Sequence, residues 1–190
     1  MKKSKLEAAE TRRRIIKTAA AEFRRNGIHD TGLSGVMAAA GLTHGGFYRH
    51  FDSKDELVAE ACAAAMKPAA ENTVASACYG AANDSLEAIV TSYLCPDHRD
   101  NLSEGCPIAA LGSELARSDD KTRAVATAGF LKFVDLIAEQ YRRTKPKTAK
   151  ARALVAASAM IGAVMVSRIV TDPELSAAIL HHTKKHVLNS

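Results

Sequence analysis

An all-α fold is predicted for this 190-residue chain by three observations. Apolar residues recur at three- and four-residue steps along nearly the whole sequence, without strand-like alternation. The positive charge is segregated: residues 1–54 hold 11 Lys+Arg against 5 Asp+Glu, and residues 55–190 hold 15 against 16. Within the basic part, a glycine-containing turn separates two short helical patterns. A chain of this length buries roughly 70% of its unfolded surface and needs no covalent staples. The four cysteines, Cys62, Cys78, Cys95 and Cys106, are too scattered for a disulfide framework, which points to a reducing, cytosolic context. The beginning, MKKSKLEAAETRRR, lacks the apolar stretch of a signal peptide. The longest charge-free apolar run, Ala153 to Ser167, is fifteen residues, below the roughly 18 that suggest a membrane span. No transmembrane helix and no membrane partner are expected.

From Glu10 to Arg25 the residues Ile15, Ile16, Ala19, Ala20 and Phe23 form one apolar stripe, and Asn26-Gly27 closes the helix. Thr31 is placed to cap a short second helix through Val36, Met37 and Ala40, in which Gly35 costs roughly 1 kcal/mol relative to Ala. Gly41 breaks that helix and Thr43 can cap a third. Val36, Met37, Leu42 and Phe47 are placed to bury the angle between the two. A helix, a tight turn and another helix in a basic segment is the arrangement of a DNA-binding helix-turn-helix. Thr43 and the first-turn amides would then meet a phosphate, with Tyr48 and His50 reaching others.

The stretches FRRNG, GLTHGGFYRHF and SKDEL, in this order and spacing from Glu10 to about Leu57, resemble the DNA-binding region of the tetracycline-repressor (TetR) family. The resemblance implies phosphate contacts for Thr43, Tyr48, His50 and Lys54. Gly45 and Gly46 belong to the same DNA-facing stretch. The family usually has Ser, Thr or Ala where this chain has Gly46, so base readout must lean on few side chains. His44 is the best candidate for a major-groove donor to a guanine, ahead of Arg49 and Ser34. A phosphate contact without sequence information is the alternative for His44. The expected division is a DNA-binding domain at residues 1–54 and a helical effector-binding and dimerisation domain at residues 55–190.

Ser53 and Glu56 have capping-box spacing and open a connecting helix through Leu57, Val58, Ala61, Cys62, Ala65 and Met66. Cys62 and Met66 are assigned to packing. After a soft break near Tyr79 to Asp84, a helix through Leu86, Ile89, Val90 and Tyr93 leads to a loop with two prolines. Cys106 directly precedes Pro107, a favoured first helical residue, and so sits at or beside an N-cap, where a thiolate is stabilised. The segment EGCPIAALGSEL resembles a TetR subgroup that includes electrophile-sensing repressors, in which a cysteine at this place is modified. A sensor and a structural N-cap thiol are both open, with Cys95 a possible resolving thiol if the Cα atoms lie within about 7 Å. Cys95, His98 and Cys106 supply three zinc ligands where a closed site wants four, and the cluster His181, His182, His186 suits a helix C-terminus, so no metal is expected.

Helical patterns over Thr122–Arg143, Thr148–Val170 and from Pro173 onward finish the chain. Small residues such as Ala156, Ala159 and Gly162 permit close helix approach. The family resemblance implies that the last two helices pair across a two-fold axis, giving a homodimer that reads a palindromic operator on double-stranded DNA. It also implies an unknown small-molecule effector bound in the body, for which Tyr93, Phe130, Phe133 and Met160 are candidate lining residues with equally good roles as plain core. The function expected is repression relieved by an apolar ligand or by thiol modification, in the cytoplasm and on the nucleoid. A DNA-coating protein with little sequence preference is the alternative. No glycine-rich phosphate loop, catalytic triad or paired carboxylates emerge, and neither enzymatic activity nor a cofactor is expected.

Overall fold

The computed structural model describes residues 5–71, 85–143 and 146–189. All the regular elements among them are helical. Helix α1 (Lys5–Asn26) buries the stripe Thr11, Ile15, Ala19, Ala20 and Phe23. It begins earlier than the apolar pattern alone places it. It ends at Gly27, whose φ of 87° lets its amide close on the Phe23 carbonyl at 2.8 Å.

Helix α2 (Leu33–Ala39) is entered from Gly32, not from Thr31. The buried Thr31 hydroxyl instead donates to the Gly27 carbonyl at 2.6 Å, tying down the far end of α1. The expected capping role fails because the threonine side chain turns back toward orphan carbonyls rather than forward. Gly41, at φ 70°, makes the turn out of α2. The segment His44–Arg49 that follows is a 3₁₀ helix rather than an α-helix, with Thr43 at its N-cap but no side-chain capping bond. Two adjacent glycines, Gly45 and Gly46, give this segment little intrinsic α-helical preference.

Helix α3 (Lys54–Glu71) starts with Ser53 Oγ accepting from the Glu56 amide at 3.1 Å. The Glu56 carboxylate accepts from the Asp52 amide at 2.7 Å, one residue off the reciprocal pairing of a capping box. The break expected near Tyr79 to Asp84 lies outside the described residues. Helix α4 (Leu86–Tyr93) is capped by Ser85. The stretch read as loop contains a further short helix, α5 (Pro96–Asp100), capped by the Cys95 sulfur, which accepts from the His98 amide at 3.4 Å. Helix α6 (Pro107–Leu115) follows with Cys106 at its N-cap. Helices α7 (Asp120–Arg142), α8 (Ala149–Ile169) and α9 (Pro173–Asn189) complete the chain.

Two cores result. One joins α1, α2, the 3₁₀ segment and α3, and extends to Leu111 and Leu115 of α6. The other is built from α4, α7, α8 and α9, with Cys106 and Ala109 at its edge. Cys62 is 3% and Met66 6% exposed, and burial pushes the Cys62 thiol up to about 11 against the pull of Arg24. Both are packing residues, as expected from the stripe. Gly129 of α7 sits tightly against α3, where an added Cβ would lie 2.6 Å from Met66 Cγ and Sδ. A Cβ on Gly162 would meet nothing within 4 Å. By length and composition α8 passes for a membrane-crossing helix. Its face Ala153, Ala156, Ala157, Met160, Ala163 and Val164 nevertheless belongs to the core shared with α7 and α9.

Candidate functional site

The DNA-facing candidates gather on one side of the head. Ser34, Thr43, His44, Gly45, Tyr48 and Arg49 are exposed, while Gly46, His50 and Lys54 are half-buried. Tyr48 stands 66% exposed although it belongs to a packed aromatic set, because only Phe47 and Phe51 point inward. The ring of His44 meets that of Tyr48 edge-on at 6.4 Å, and its Nδ1 lies 3.1 Å from Ser34 Oγ. Lys54 Nζ rests 3.4 Å from the His29 carbonyl.

Arg12 fastens this surface to the rest of the head. Its Nε donates to the His50 carbonyl at 3.1 Å, where the 3₁₀ segment ends. Its two other nitrogens engage both Glu60 oxygens and, at 3.1 Å, Glu56, and its guanidinium lies 4.4 Å from the centre of the Phe51 ring. The hydrogen bond from Arg12 holds the Glu60 carboxyl below its ordinary range. Arg12 was not among the sequence candidates. A signal for it exists: it falls three residues before Ile15 on the buried stripe, whereas Arg13 and Arg14 fall on the outer face.

Hydrogen bonds add to the apolar packing of Leu111 and Leu115 in joining head to body. Arg24 of α1 donates through Nε to the Ser103 carbonyl at 2.7 Å and through Nη2 to the same oxygen. Glu114 of α6 accepts from the His29 amide at 2.8 Å, beside Gly27. Helix α6 therefore runs from Cys106 at one end to the head at the other.

Cys106 is 7% exposed and its side chain caps nothing. Its amide donates to His98 Nε2 at 2.9 Å, and His98 Nδ1 lies 2.7 Å from the Tyr93 carbonyl. This pairing fixes a neutral ring with the proton on Nδ1, and burial lowers the His98 pKa accordingly. His98 thus spends both ring nitrogens within the fold, and among the described residues no group of three His, Cys, Asp or Glu side chains is placed to hold a metal. Neither Cys95 nor Cys106 is joined in a disulfide. Arg168 of α8 donates to the Arg99 and His98 carbonyls, each at 2.8 Å. Its remaining Nη1 and the Tyr93 hydroxyl are buried without a hydrogen-bond partner. Burial, and beyond it the adjacent Cys106, push the Tyr93 phenol well above its ordinary value.

A cavity of about 490 Å³ opens between α6, α7 and α8. Of the four effector candidates, Phe130 lines it, while Tyr93, Phe133 and Met160 lie in the body core at 3%, 6% and 0% exposure. Leu115 forms part of the cavity wall and also belongs to the head's core.

Comparison with known proteins accords with this geometry. Residues 15–61 match the model of bacterial regulatory proteins of the TetR family, and residues 83–182 match the C-terminal domain of LmrA/YxaF-like transcriptional regulators. An uncharacterised helix-turn-helix regulator of Mycobacterium tuberculosis, Rv0196, is 29% identical over 175 residues, covering 85% of this chain and 86% of that one. A probable acrEF/envCD operon repressor of Escherichia coli is 41% identical over 59 residues, 31% of this chain and 27% of that protein. A TetR regulator from Chloroflexus aurantiacus superposes with a TM-score of 0.70 at 28% identity over 95% of this chain and 93% of that one. The reduced form of E. coli NemR shares the fold, with a TM-score of 0.76 at 19% identity over 95% and 96% of the two chains. A helix-turn-helix head matched to one family model and a helical body matched to another across half the chain make this protein a member of the TetR family of transcriptional regulators, which are not enzymes.

Proposed function

We propose that the chain is a homodimeric repressor that occupies a palindromic operator and leaves it when the body is altered by an apolar ligand or at the Cys106 thiol. The carrying observation is the double membership of Leu115, which lines the body cavity and also packs in the core of the head. A ligand of a volume that fits 490 Å³, within the ordinary range of small-molecule pockets, would press on a side chain that supports the DNA-reading surface. The orphaned Tyr93 hydroxyl and Arg168 Nη1 support the thiol route, since oxidation or alkylation of the buried Cys106 enlarges a side chain that neighbours both residues.

Residues 1–54 form the reading head in this proposal and residues 55–190 the effector-binding and dimerisation body. Thr43, Tyr48, His50 and Lys54 hold phosphates, and His44, Arg49 and Ser34 face the bases. The exposed apolar stripe Leu154, Val155, Met165, Val166 and Ile169 of α8, continued by Leu175 of α9, favours a second copy as its cover. A two-fold dimer would set its heads about 34–36 Å apart, or at a larger match to the DNA repeat. The protein would act in the cytoplasm, on the nucleoid.

The test is a fluorescence anisotropy titration at fixed salt on DNA from upstream of its own gene and on scrambled DNA, with reduced and oxidant-treated protein. Preference for the upstream DNA is expected; equal binding to both sequences would leave only a DNA-coating role. Release by the oxidant that Cys106→Ser abolishes identifies the thiol route. Unchanged binding after treatment removes that route and leaves the cavity ligand.

A further inference from the structure

The contact between Ser34 Oγ and His44 Nδ1, 3.1 Å long, joins two exposed side chains from either side of the turn. For the neutral ring, two hydrogen arrangements satisfy it. Either the serine hydroxyl donates to Nδ1, leaving the imidazole proton on Nε2, or Nδ1 carries the proton and Nε2 becomes an acceptor. The ring is also held edge-on by Tyr48, so Nε2 is the nitrogen left for a partner outside the protein. Ser34 stands in the first turn of α2, where the residue four positions earlier, Asp30, precedes the helix, so its hydroxyl proton is not drawn to a helical carbonyl. The proton is therefore available to Nδ1. The major groove, with its dense purine N7 and O6 acceptors, also favours an outward donor.

We infer that Ser34 and His44 form one reading unit, in which the serine fixes the imidazole as an outward Nε2–H donor that selects guanine in each operator half-site. The inference rests on the DNA-reading role proposed above for this face. Guanine offers acceptors at both N7 and O6, whereas adenine sets an amino group beside N7 that opposes a donor. Ser34 is a positioning residue: it acts on the base only through the ring it holds. The neighbouring Gly45, beside whose backbone a Cβ would meet nothing, and Gly46, whose Cβ would meet only Met37 Cε at 3.6 Å, leave the histidine without a competing side chain on its own turn. One donor on one base gives a modest discrimination, about fivefold for a contact of ordinary strength.

The experiment is selection from a random-sequence duplex library by the full-length protein, with sequencing of the bound pool, for wild type, Ser34→Ala, Ser34→Thr and His44→Ala. Wild type is expected to enrich guanine at one position of each half-site. His44→Ala should erase that preference alone. Ser34→Ala should weaken it about threefold to fivefold at the same position, and Ser34→Thr, which keeps the hydroxyl, should restore it. A Ser34→Ala profile identical to wild type, a loss spread over all positions, or adenine or cytosine at the His44 position would overturn the inference while leaving DNA reading intact. A wild-type pool with no preference anywhere would instead overturn the DNA-reading proposal itself.

Discussion

Gly129→Ala tests whether the rod between head and body is seated on a glycine. The new Cβ would lie 2.6 Å from Met66 Cγ and Sδ and 2.8 Å from Met66 Cβ. Carbon atoms rest at about 3.5–4.0 Å, so the deficit is roughly 1 Å at three atoms. The outer atoms of a methionine can swing away, but its Cβ is fixed to the backbone, so α3 and α7 must separate. Overpacking of this kind costs about 1–3 kcal/mol. It is offset by the gain of roughly 1 kcal/mol that alanine brings to a helix interior. The net expectation is a destabilisation of about 0–2 kcal/mol, or a thermal midpoint lowered by up to about 8 °C for a chain of this size. Calorimetry and urea titration at one protein concentration measure it. Gly35→Ala is the internal control: its Cβ meets nothing within 4 Å, so the same substitution in α2 should stabilise by roughly 1 kcal/mol. In a Met66→Ala background, which removes Cγ and Sδ but keeps Cβ, the Gly129→Ala cost should shrink without vanishing. If Gly129→Ala stabilises the unmodified protein as much as Gly35→Ala does, the close seat of α3 on α7 is wrong.

Arg12→Lys keeps the charge but loses the fork that reaches His50, Glu56 and Glu60 together. It should cost about 1–2 kcal/mol in urea unfolding, and operator affinity should fall by a larger factor than affinity for scrambled DNA. His98 is held neutral by burial, with its folded pKa below the ordinary value of 6.5. The unfolded chain then takes up the proton first, so this contribution is fully present above about pH 6.5 and is lost as pH falls through the folded value. Stability at pH 7.5 minus that at pH 5.5 should therefore shrink in His98→Gln, and an unchanged difference would contradict the buried neutral ring. Glu114→Ala removes the acceptor of the His29 amide and with it a hydrogen-bonded tie between α6 and the head. Operator binding should survive in the untreated protein, while release by a ligand or oxidant that acts through the body should be blunted in anisotropy titrations.

The sequence by itself determined the features that depend on near neighbours along the chain. The apolar stripe of α1, the left-handed glycines at positions 27 and 41, the N-cap position of Cys106 and the buried places of Cys62 and Met66 all follow from spacing and local backbone chemistry. The stretch proposed to face DNA is likewise local, since its aromatic and titratable residues lie within one short segment. Where several local partners competed, the sequence was ambiguous: Thr31 turned to the end of α1 instead of the start of α2, and Pro96 opened a short helix inside an expected loop. Only the tertiary structure decided the contacts that span the chain. Arg12 meeting Glu60, Arg24 reaching Ser103, Glu114 accepting from His29 and Met66 fitting against Gly129 each require two helices to be placed first. It also sorted Phe130, on a cavity wall, from Tyr93, Phe133 and Met160 in the core, because periodicity says which face of a helix is apolar and not whether a neighbour fills the space beside it.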